Sequence, residues 1–312
     1  MVDKTKQDAA SWRSKGDELV KQGKFEEAMK SFDESLKLDP KDYAAWNGKG
    51  VAFYRLGKFD EAIKCYNEAT RLEPRYATAW YNKGDAQNRV SKYQDSITSL
   101  DEALKLDSKF AFSWYQRGLA LLNLGKVDES VKNCDEAIKL MPNLAAARNI
   151  RGVALYKLGR YDEAIRDFDE YLKLDPKNSY VLHNKGDALN KLRRSGEAIK
   201  FLDEALKLNP KFAATWFERG SALLAEEQYQ AAADSFTESL KLDPRNTRAL
   251  LFKALAFHNL GEFEEAEKLY DEVIKMDPKD ARAKSLKGRA QGRLKPGEVY
   301  AFGGRKIDIT KG

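Results

Sequence analysis

The chain has 312 residues and a net charge of +6, with 42% hydrophobic and 33% charged residues, a balance typical of water-soluble proteins. It holds no apolar run near the roughly 18 residues of a membrane span, and its first residues lack the apolar segment of a secretory signal. Cys65 and Cys134 form no CxxC pair, so neither a disulfide framework nor a zinc site is supported. We expect a cytoplasmic protein that contacts no membrane.

A 34-residue period runs along most of the chain. Prolines recur with this step at positions 40, 74, 142, 176, 210, 244 and 278, and Ser108 occupies the one gap. A fixed period of this length indicates stacked helical hairpins. The period divides the chain into an N-terminal lead at 1–8, eight repeats at 9–42, 43–76, 77–110, 111–144, 145–178, 179–212, 213–246 and 247–280, a basic capping helix at 281–295 and a C-terminal tail at 296–312.

Each repeat is predicted to form two helices, as the second repeat illustrates. One face of its first helix holds Trp46, Gly50 and Phe53, at the spacing of successive helical turns. Gly57 is expected to end this helix in the left-handed conformation, which costs a residue without Cβ least. Asp60 is expected to start the second helix as its N-terminal cap.

The second helix of the same repeat carries a buried stripe of Ala62, Tyr66 and Ala69, and Pro74 ends the repeat. The pattern resembles the tetratricopeptide repeat over residues 9–280. That family has Trp, Gly, an aromatic residue, Ala, an aromatic residue, Ala and Pro at these spacings. The resemblance implies an all-α fold, a right-handed α-α superhelix of about one turn, with the first helices on the concave side. It also implies a non-enzymatic scaffold for protein binding.

A longer period of 102 residues, three repeats, lies inside the shorter one. Tryptophan recurs with this step at Trp12, Trp114 and Trp216, and NKGDAQN at 82–88 matches NKGDALN at 184–190. We infer that a block of three repeats was copied. Asp85 and Asp187, like Asn88 and Asn190, occupy positions that helix packing is not expected to dictate. Shared ligand contacts and shared structural roles both account for that match.

No pattern in the sequence predicts an enzyme, a metal site or a cofactor. Acidic pairs such as Asp60-Glu61 recur with the 34-residue step, as expected of exposed helix surfaces rather than of acid–base catalysts. The two histidines, His183 and His258, have no cysteine beside them and no nucleophile pairs with either in the sequence. The two cysteines are expected to be inert core thiols.

The resemblance implies that positions two, five, six, nine, twelve and thirteen of each first helix face a concave peptide-binding groove. The predicted groove residues are Asn47, Tyr54, Arg55, Tyr81, Asn82, Asp85, Asn88, Arg89, Tyr115, Asn149, Tyr156, Tyr180, His183, Asn184, Asp187, Asn190 and Lys191. Tyrosine offers contact area at low entropic cost and asparagine both donates and accepts hydrogen bonds, so this lining suits an extended peptide. Alternatively, some of these tyrosines only pack between neighbouring first helices.

The pattern of groove residues argues against one known ligand type of the family. A clamp for a chaperone's C-terminal carboxylate needs Lys and Asn at set positions of three consecutive repeats, and no three consecutive repeats here supply them. A protein or peptide ligand of another kind is expected, and its identity does not follow from the sequence.

The excess positive charge lies at the C-terminal end. Nine basic and two acidic residues follow residue 280, a balance of +7, which leaves −1 for the first 280 residues. The balanced body argues against a long nucleic-acid-binding face. Two alternatives to a peptide scaffold stay open: self-assembly into a homo-oligomer, end to end or by docking of the tail into a groove, and binding of an acidic partner or nucleic acid by the basic end.

Overall fold

The computed structural model describes the backbone of residues 2–292 and the side chains of residues 7–292. Over this part the chain forms 17 α-helices and no β-strand. Two compact units divide it, one at 1–159 and the other at 160–312. The helix predicted at 281–295 ends earlier, at Ala290, and a turn with Gly292 at φ 69° follows it. Residues 293–295, the tail predicted at 296–312 and its proposed docking lie outside the described residues.

Helices of the first unit alternate between first and second members of a pair. Their bounds are α1 Val2–Lys21, α2 Phe25–Leu38, α3 Tyr43–Arg55, α4 Phe59–Leu72, α5 Ala77–Arg89, α6 Tyr93–Leu106, α7 Ala111–Asn123, α8 Val127–Leu140 and α9 Ala145–Lys157. The second unit contains α10 Tyr161–Leu174, α11 Ser179–Lys191, α12 Ser195–Leu208, α13 Ala213–Ala225, α14 Tyr229–Leu242, α15 Thr247–Leu260, α16 Phe263–Met276 and α17 Ala281–Ala290. From α3 onward, the odd-numbered first helices begin 34 residues apart.

The two helices of a pair touch where the first helix lacks a side chain. A Cβ atom added to Gly50 would lie 2.5 Å from the Tyr66 ring, and one added to Gly84 would lie 2.6 Å from Leu100. Both distances are shorter than those of real Cβ contacts, so a larger residue at either position would force the facing side chain or the helices to shift. The predicted stripe on α4 is buried, with Tyr66 only 1% exposed. In these two pairs the core therefore lies between a glycine and a large apolar side chain.

The expected cap at Asp60 is wrong. The second helix α4 begins at Phe59, its N-cap residue is Lys58, and no side chain caps it. Asp60 lies one residue inside the first turn, where a negative charge still interacts favourably with the helix dipole. Its carboxylate accepts a hydrogen bond at 3.0 Å from the ammonium of Lys92, in the next pair of helices.

The turn after each first helix needs one residue in the left-handed conformation. Gly57 adopts it with φ 74°, as predicted, and glycines serve the same purpose in several other turns. Three turns use residues with a side chain instead: Ser91 at φ 59°, Arg193 at φ 60° and Glu227 at φ 59°. An L-residue pays roughly 1–2 kcal/mol for this conformation, so these three turns are locally strained.

Tryptophan side chains join the start of the first helices to the preceding turn. The indole Nε1 of Trp46 donates to the carbonyl oxygen of Pro40 at 3.1 Å, and Trp114 donates in the same way to Ser108 at 2.9 Å. The same bond recurs at Trp80 and Trp216. Because the bond uses the carbonyl and not the ring, serine replaces proline at position 108 without its loss.

Ion pairs connect successive helix pairs at the residue before the buried glycine. The ammonium of Lys49 lies 2.6 Å from the Asp33 carboxylate, and Arg117 lies 2.7 Å from Asp101. The same arrangement, sixteen residues apart, recurs at Arg151–Asp135, Lys185–Asp169, Arg219–Asp203 and Lys287–Asp271. Half-buried cations at this position thus have anionic partners. Lys83 differs from these cations, because the residue sixteen positions before it is the uncharged Asn67 and not an aspartate.

Candidate functional site

The first helices form the inner surface of each unit. Within a unit, each first helix contacts the first helix of the next pair, whereas no second helix contacts the next second helix over the residues that the structure describes. A stack in which one row of helices is more closely spaced curves toward that row. We call the exposed side of α1, α3, α5, α7 and α9 in the first unit, and of α11, α13, α15 and α17 in the second, the inner surface.

Asp85 lies at the centre of a polar cluster on the inner surface of the first unit. Its side chain is 16% exposed, and it accepts a hydrogen bond at 2.8 Å from the Gln116 amide of α7. The Arg89 guanidinium lies 3.9 Å away. Burial raises the pKa of Asp85, although the hydrogen bond with the Tyr54 hydroxyl and the charge of Arg89 act in the opposite direction. The ionised carboxylate is therefore incompletely compensated.

Three tyrosines surround this carboxylate, one from each of three successive first helices. They are Tyr54 on α3, Tyr81 on α5 and Tyr115 on α7, and each is partly buried. Burial raises the pKa of all three hydroxyls, and the negative charge of Asp85 raises it further. Arg89 donates from Nε to the Tyr54 hydroxyl at 2.9 Å. Tyr54, Tyr81, Asp85, Arg89, Tyr115 and Gln116 are called the Asp85 cluster below.

Three of the predicted asparagines of the first unit, Asn47, Asn82 and Asn88, join neighbouring helices. The Asn82 amide donates to the Asn47 side-chain oxygen at 2.9 Å. Asn88 donates to the main-chain oxygen of Gln116 at 2.9 Å and to its side-chain oxygen at 3.1 Å. Asn190 makes the corresponding bond to the main-chain oxygen of Glu218 at 2.9 Å. The expectation that packing does not dictate Asn88 and Asn190 is wrong, because each holds the next first helix in place.

A second cluster forms at the equivalent place in the second unit. The Lys191 ammonium lies 3.3 Å from Asp187, and Glu218 of α13 accepts a long hydrogen bond of 3.4 Å from Asn190. Burial raises the pKa of Glu218 to about 7, the charge of Asp187 raises it as well, and Lys191 opposes the shift. With His183, these residues (Asp187, Asn190, Lys191 and Glu218) are called the Asp187 cluster.

His183 is held by its neighbours in the second unit. Its Nδ1 lies 3.1 Å from the Thr215 hydroxyl, and its ring centroid is 4.7 Å from that of Phe212. Burial lowers the pKa of the imidazole, which favours the neutral form. Tyr180, by contrast, is 62% exposed and contacts Phe212 at a centroid distance of 5.2 Å.

The remaining predicted residues lie on first helices with varied exposure. Arg55 is exposed at the end of α3, Asn149 and Tyr156 are partly buried on α9, and Asn184 is partly buried on α11.

Sequence reasoning missed three aromatic residues that immediately precede first helices. The hydroxyl of Tyr76 accepts a hydrogen bond at 3.4 Å from the Asn47 amide, and Phe110 packs edge-on against Tyr81 at 4.8 Å. Phe212 has the corresponding place beside His183. The available signal was an aromatic residue at the last position of three of the eight repeats, at 76, 110 and 212.

Comparison with known proteins identifies the family. One model of the tetratricopeptide repeat matches residues 13–64, 115–179 and 183–247, which together exceed half of the chain. Further models of the same repeat match 50–90, 77–110 and 223–290. The chain belongs to the tetratricopeptide repeat family. No curated protein matches it in sequence.

Solved structures of tetratricopeptide proteins share the fold. YrrB, described as a TPR protein with an unusual peptide-binding site, is 21% identical over 62% of this chain and 97% of its own, with a TM-score of 0.54. A chain of the APC/C hetero-tetramer Cut9-Hcn1 is 20% identical over 85% of this chain and 52% of its own, with a TM-score of 0.60. A tetratricopeptide repeat protein from Parabacteroides merdae is 18% identical over 80% of this chain and 99% of its own, with a TM-score of 0.57. At these identities, the likeness concerns the fold alone.

Family membership and these likenesses show an all-α superhelical repeat fold and, in general terms, a scaffold for protein–protein interaction. The family is typically non-enzymatic. The right hand and single turn of the superhelix stay predictions. Across the described residues, no helix combines the length and apolar character that a membrane crossing requires.

Proposed function

We propose that this tetratricopeptide protein binds an extended peptide, or an extended segment of a partner protein, on its inner surface and catalyses no reaction. The observation that carries the proposal is a row of partly accessible rings on three successive first helices. Tyr54 on α3, Tyr81 on α5 and Tyr115 on α7 each keep part of the ring accessible, around the Asp85 carboxylate. These rings are available to contact a partner.

The polar groups beside these rings suit a peptide backbone. Carboxylate, amide and hydroxyl groups alternate with the tyrosines along α3, α5 and α7, so both N–H and C=O groups of an extended chain have partners there. Tyrosine loses little rotational freedom on contact, which lowers the entropic cost of binding. The peptide-binding description of YrrB, which shares the fold, is consistent with this function.

Self-assembly and binding by the basic end are weaker candidates. Docking of the tail and binding by the basic end depend on residues after 280, most of which lie outside the described residues. No contact within the described part favours these or end-to-end assembly.

A library of random 12-residue peptides displayed on phage tests the proposal on the full chain. The paired substitution Tyr81→Ala with Tyr115→Ala removes the offered rings, and Tyr93→Ala removes a partly buried ring from the second helix α6 as a matched control. Peptides selected on the wild type are expected to bind the control equally and the paired variant at least ten-fold more weakly. Failure to select any peptide, or equal losses in both variants, would contradict the function.

A further inference from the structure

We propose that the Asp85 cluster selects a basic side chain, lysine or arginine, in the bound peptide. The inference rests on the proposed function, since it specifies which peptide the inner surface of the first unit takes. It is argued from the shape and charge of the cluster, from its tyrosine rings and from a buried acceptor beside it.

The carboxylate of Asp85 is largely withdrawn from water without a close counter-ion. Its side chain is 16% exposed, and the guanidinium that faces it, Arg89, stays 3.9 Å away and is itself 59% exposed. Arg55 acts on it more weakly from α3. A close, desolvated ion pair has shorter contacts, near 2.8 Å. An ammonium or guanidinium group from a peptide could approach to that distance if the exposed Arg89 side chain gave up its hydrogen bond to the Tyr54 hydroxyl and turned toward solvent.

The rings around the carboxylate favour a cation. The guanidinium carbon of Arg89 already lies 5.9 Å from the ring centroid of Tyr54. Aromatic faces attract cations, most strongly where water is excluded, and the partly buried Tyr81 and Tyr115 supply further rings around the same carboxylate. In the free protein, Arg89 already places a cation beside these rings. A cation of the ligand could lie closer to the Asp85 carboxylate than Arg89 does.

A surplus of hydrogen-bond acceptors accompanies the cluster. Asn88 is 7% exposed, and its amide donates to the side chain of Gln116, which in turn donates to Asp85. The Asn88 side-chain oxygen has no hydrogen-bond partner among the described residues, and neither has that of Asn190 in the second unit. A buried acceptor without a donor costs free energy. Over the described residues the cation that faces Asp85 stays 3.9 Å away, and a lysine or arginine side chain of a peptide would bring positive charge and hydrogen-bond donors closer to it.

The direction of the Asp85 titration agrees with this geometry. Burial raises its pKa even though Arg89 and Arg55 lower it, so the cations of the free protein do not offset the loss of water. A carboxylate that served only to join helices would be expected to have its charge met within the fold, as in the ion pairs between second and first helices.

Selection from the random 12-residue phage library tests the inference on three full-length proteins: the wild type, Asp85→Asn, and the control Asp33→Asn, which removes a carboxylate paired with Lys49 away from the cluster. Selected peptides are then synthesised with lysine or with norleucine, an uncharged analogue, at the enriched position. On the wild type and the control, norleucine is expected to weaken binding at least ten-fold. On Asp85→Asn, the two peptides are expected to bind within two-fold of each other.

The outcomes separate the inference from the function. Peptides selected without enrichment of lysine or arginine, or a preference that Asp85→Asn leaves intact, would overturn the inference and leave peptide binding standing. A library that yields no peptide would overturn both. Thermal unfolding checks that Asp85→Asn is folded, and Arg89→Ala provides a second variant that keeps the carboxylate. Removing the competing guanidinium is expected to strengthen the lysine peptide about three-fold, and weaker binding would count against the inference.

Discussion

The Asp85 cluster of the first unit and the Asp187 cluster of the second are built on the same plan with different chemistry. In both, an asparagine three residues after the aspartate donates to a carbonyl of the next first helix, and a basic residue follows the aspartate by four positions. The difference lies in the neighbour: Gln116 hydrogen-bonds to Asp85, whereas Glu218 places a second carboxylate near Asp187. Helix contacts are thus retained while the charge offered to a ligand changes.

The largest expected effect on stability tests a feature that the two units share, the glycine of the first helix that packs against a leucine of the second. Gly84→Ala and Gly186→Ala place a Cβ 2.6 Å from Leu100 and Leu202, respectively. Each is expected to lower the free energy of unfolding by about 2 kcal/mol, because the packed leucine has little room to move. Gly196→Ala is the control, since its nearest neighbour lies 3.8 Å away. If urea unfolding shows a clear loss of stability for only one of the two glycine variants, the two units do not share this packing.

Glu218→Gln tests the difference between the clusters. The pKa of Glu218 is raised in the folded state to about 7, against about 4.5 when exposed, so the folded state holds the proton more tightly. Its contribution to stability is complete below about pH 4.5 and is lost as the pH rises through 7. Glutamine is therefore expected to stabilise the protein by about 2 kcal/mol at pH 8 and not at pH 4.

The reciprocal change Gln116→Glu provides the matched control for that prediction. It introduces a second carboxylate beside Asp85 and is expected to destabilise the protein at pH 8 more than at pH 4. Thermal unfolding at the two pH values measures both variants. A Glu218→Gln effect that does not depend on pH would contradict the assignment of the effect to charge.

The strained turns are equivalent in the two units, since Ser91 and Arg193 lie 102 residues apart. Ser91→Gly and Arg193→Gly are each expected to raise the free energy of unfolding by about 1 kcal/mol, because glycine adopts positive φ without steric cost. Gly57→Ser, the reverse change at φ 74°, should lower it by a similar amount. Urea unfolding measures all three, and a stabilising Gly57→Ser would refute the explanation.

The smallest expected effect on stability concerns an ion pair that is present in the second unit and absent from the equivalent position of the first. Lys185 pairs with Asp169, whereas Lys83 has Asn67 at the corresponding position, and burial lowers the pKa of Lys83. Asn67→Asp is expected to stabilise the protein by about 0.5 kcal/mol, with less effect at high salt. Asp169→Asn should destabilise it comparably. Unfolding at two salt concentrations would show whether the two positions behave alike.

Residue type and period were sufficient to predict the helices and the left-handed Gly57, because both depend on local sequence. The wrong cap at Asp60 reflects a helix start two residues earlier than expected, with Lys58 as the N-cap. The role of Asn88 could not be predicted, since its partner is a main-chain carbonyl 28 residues away. Nothing in the side chain of Ser91 signals positive φ; only its place in the period does.

Cross-linking of a selected peptide tests the central claim most directly, namely that the first helices receive the ligand. A peptide from the phage library carries the photoreactive residue benzoylphenylalanine at successive positions, and mass spectrometry locates the cross-linked residues on the full chain. We predict cross-links to α3, α5 and α7, including Tyr81 and Tyr115. Cross-links confined to the second helices α4, α6 and α8 would contradict the account.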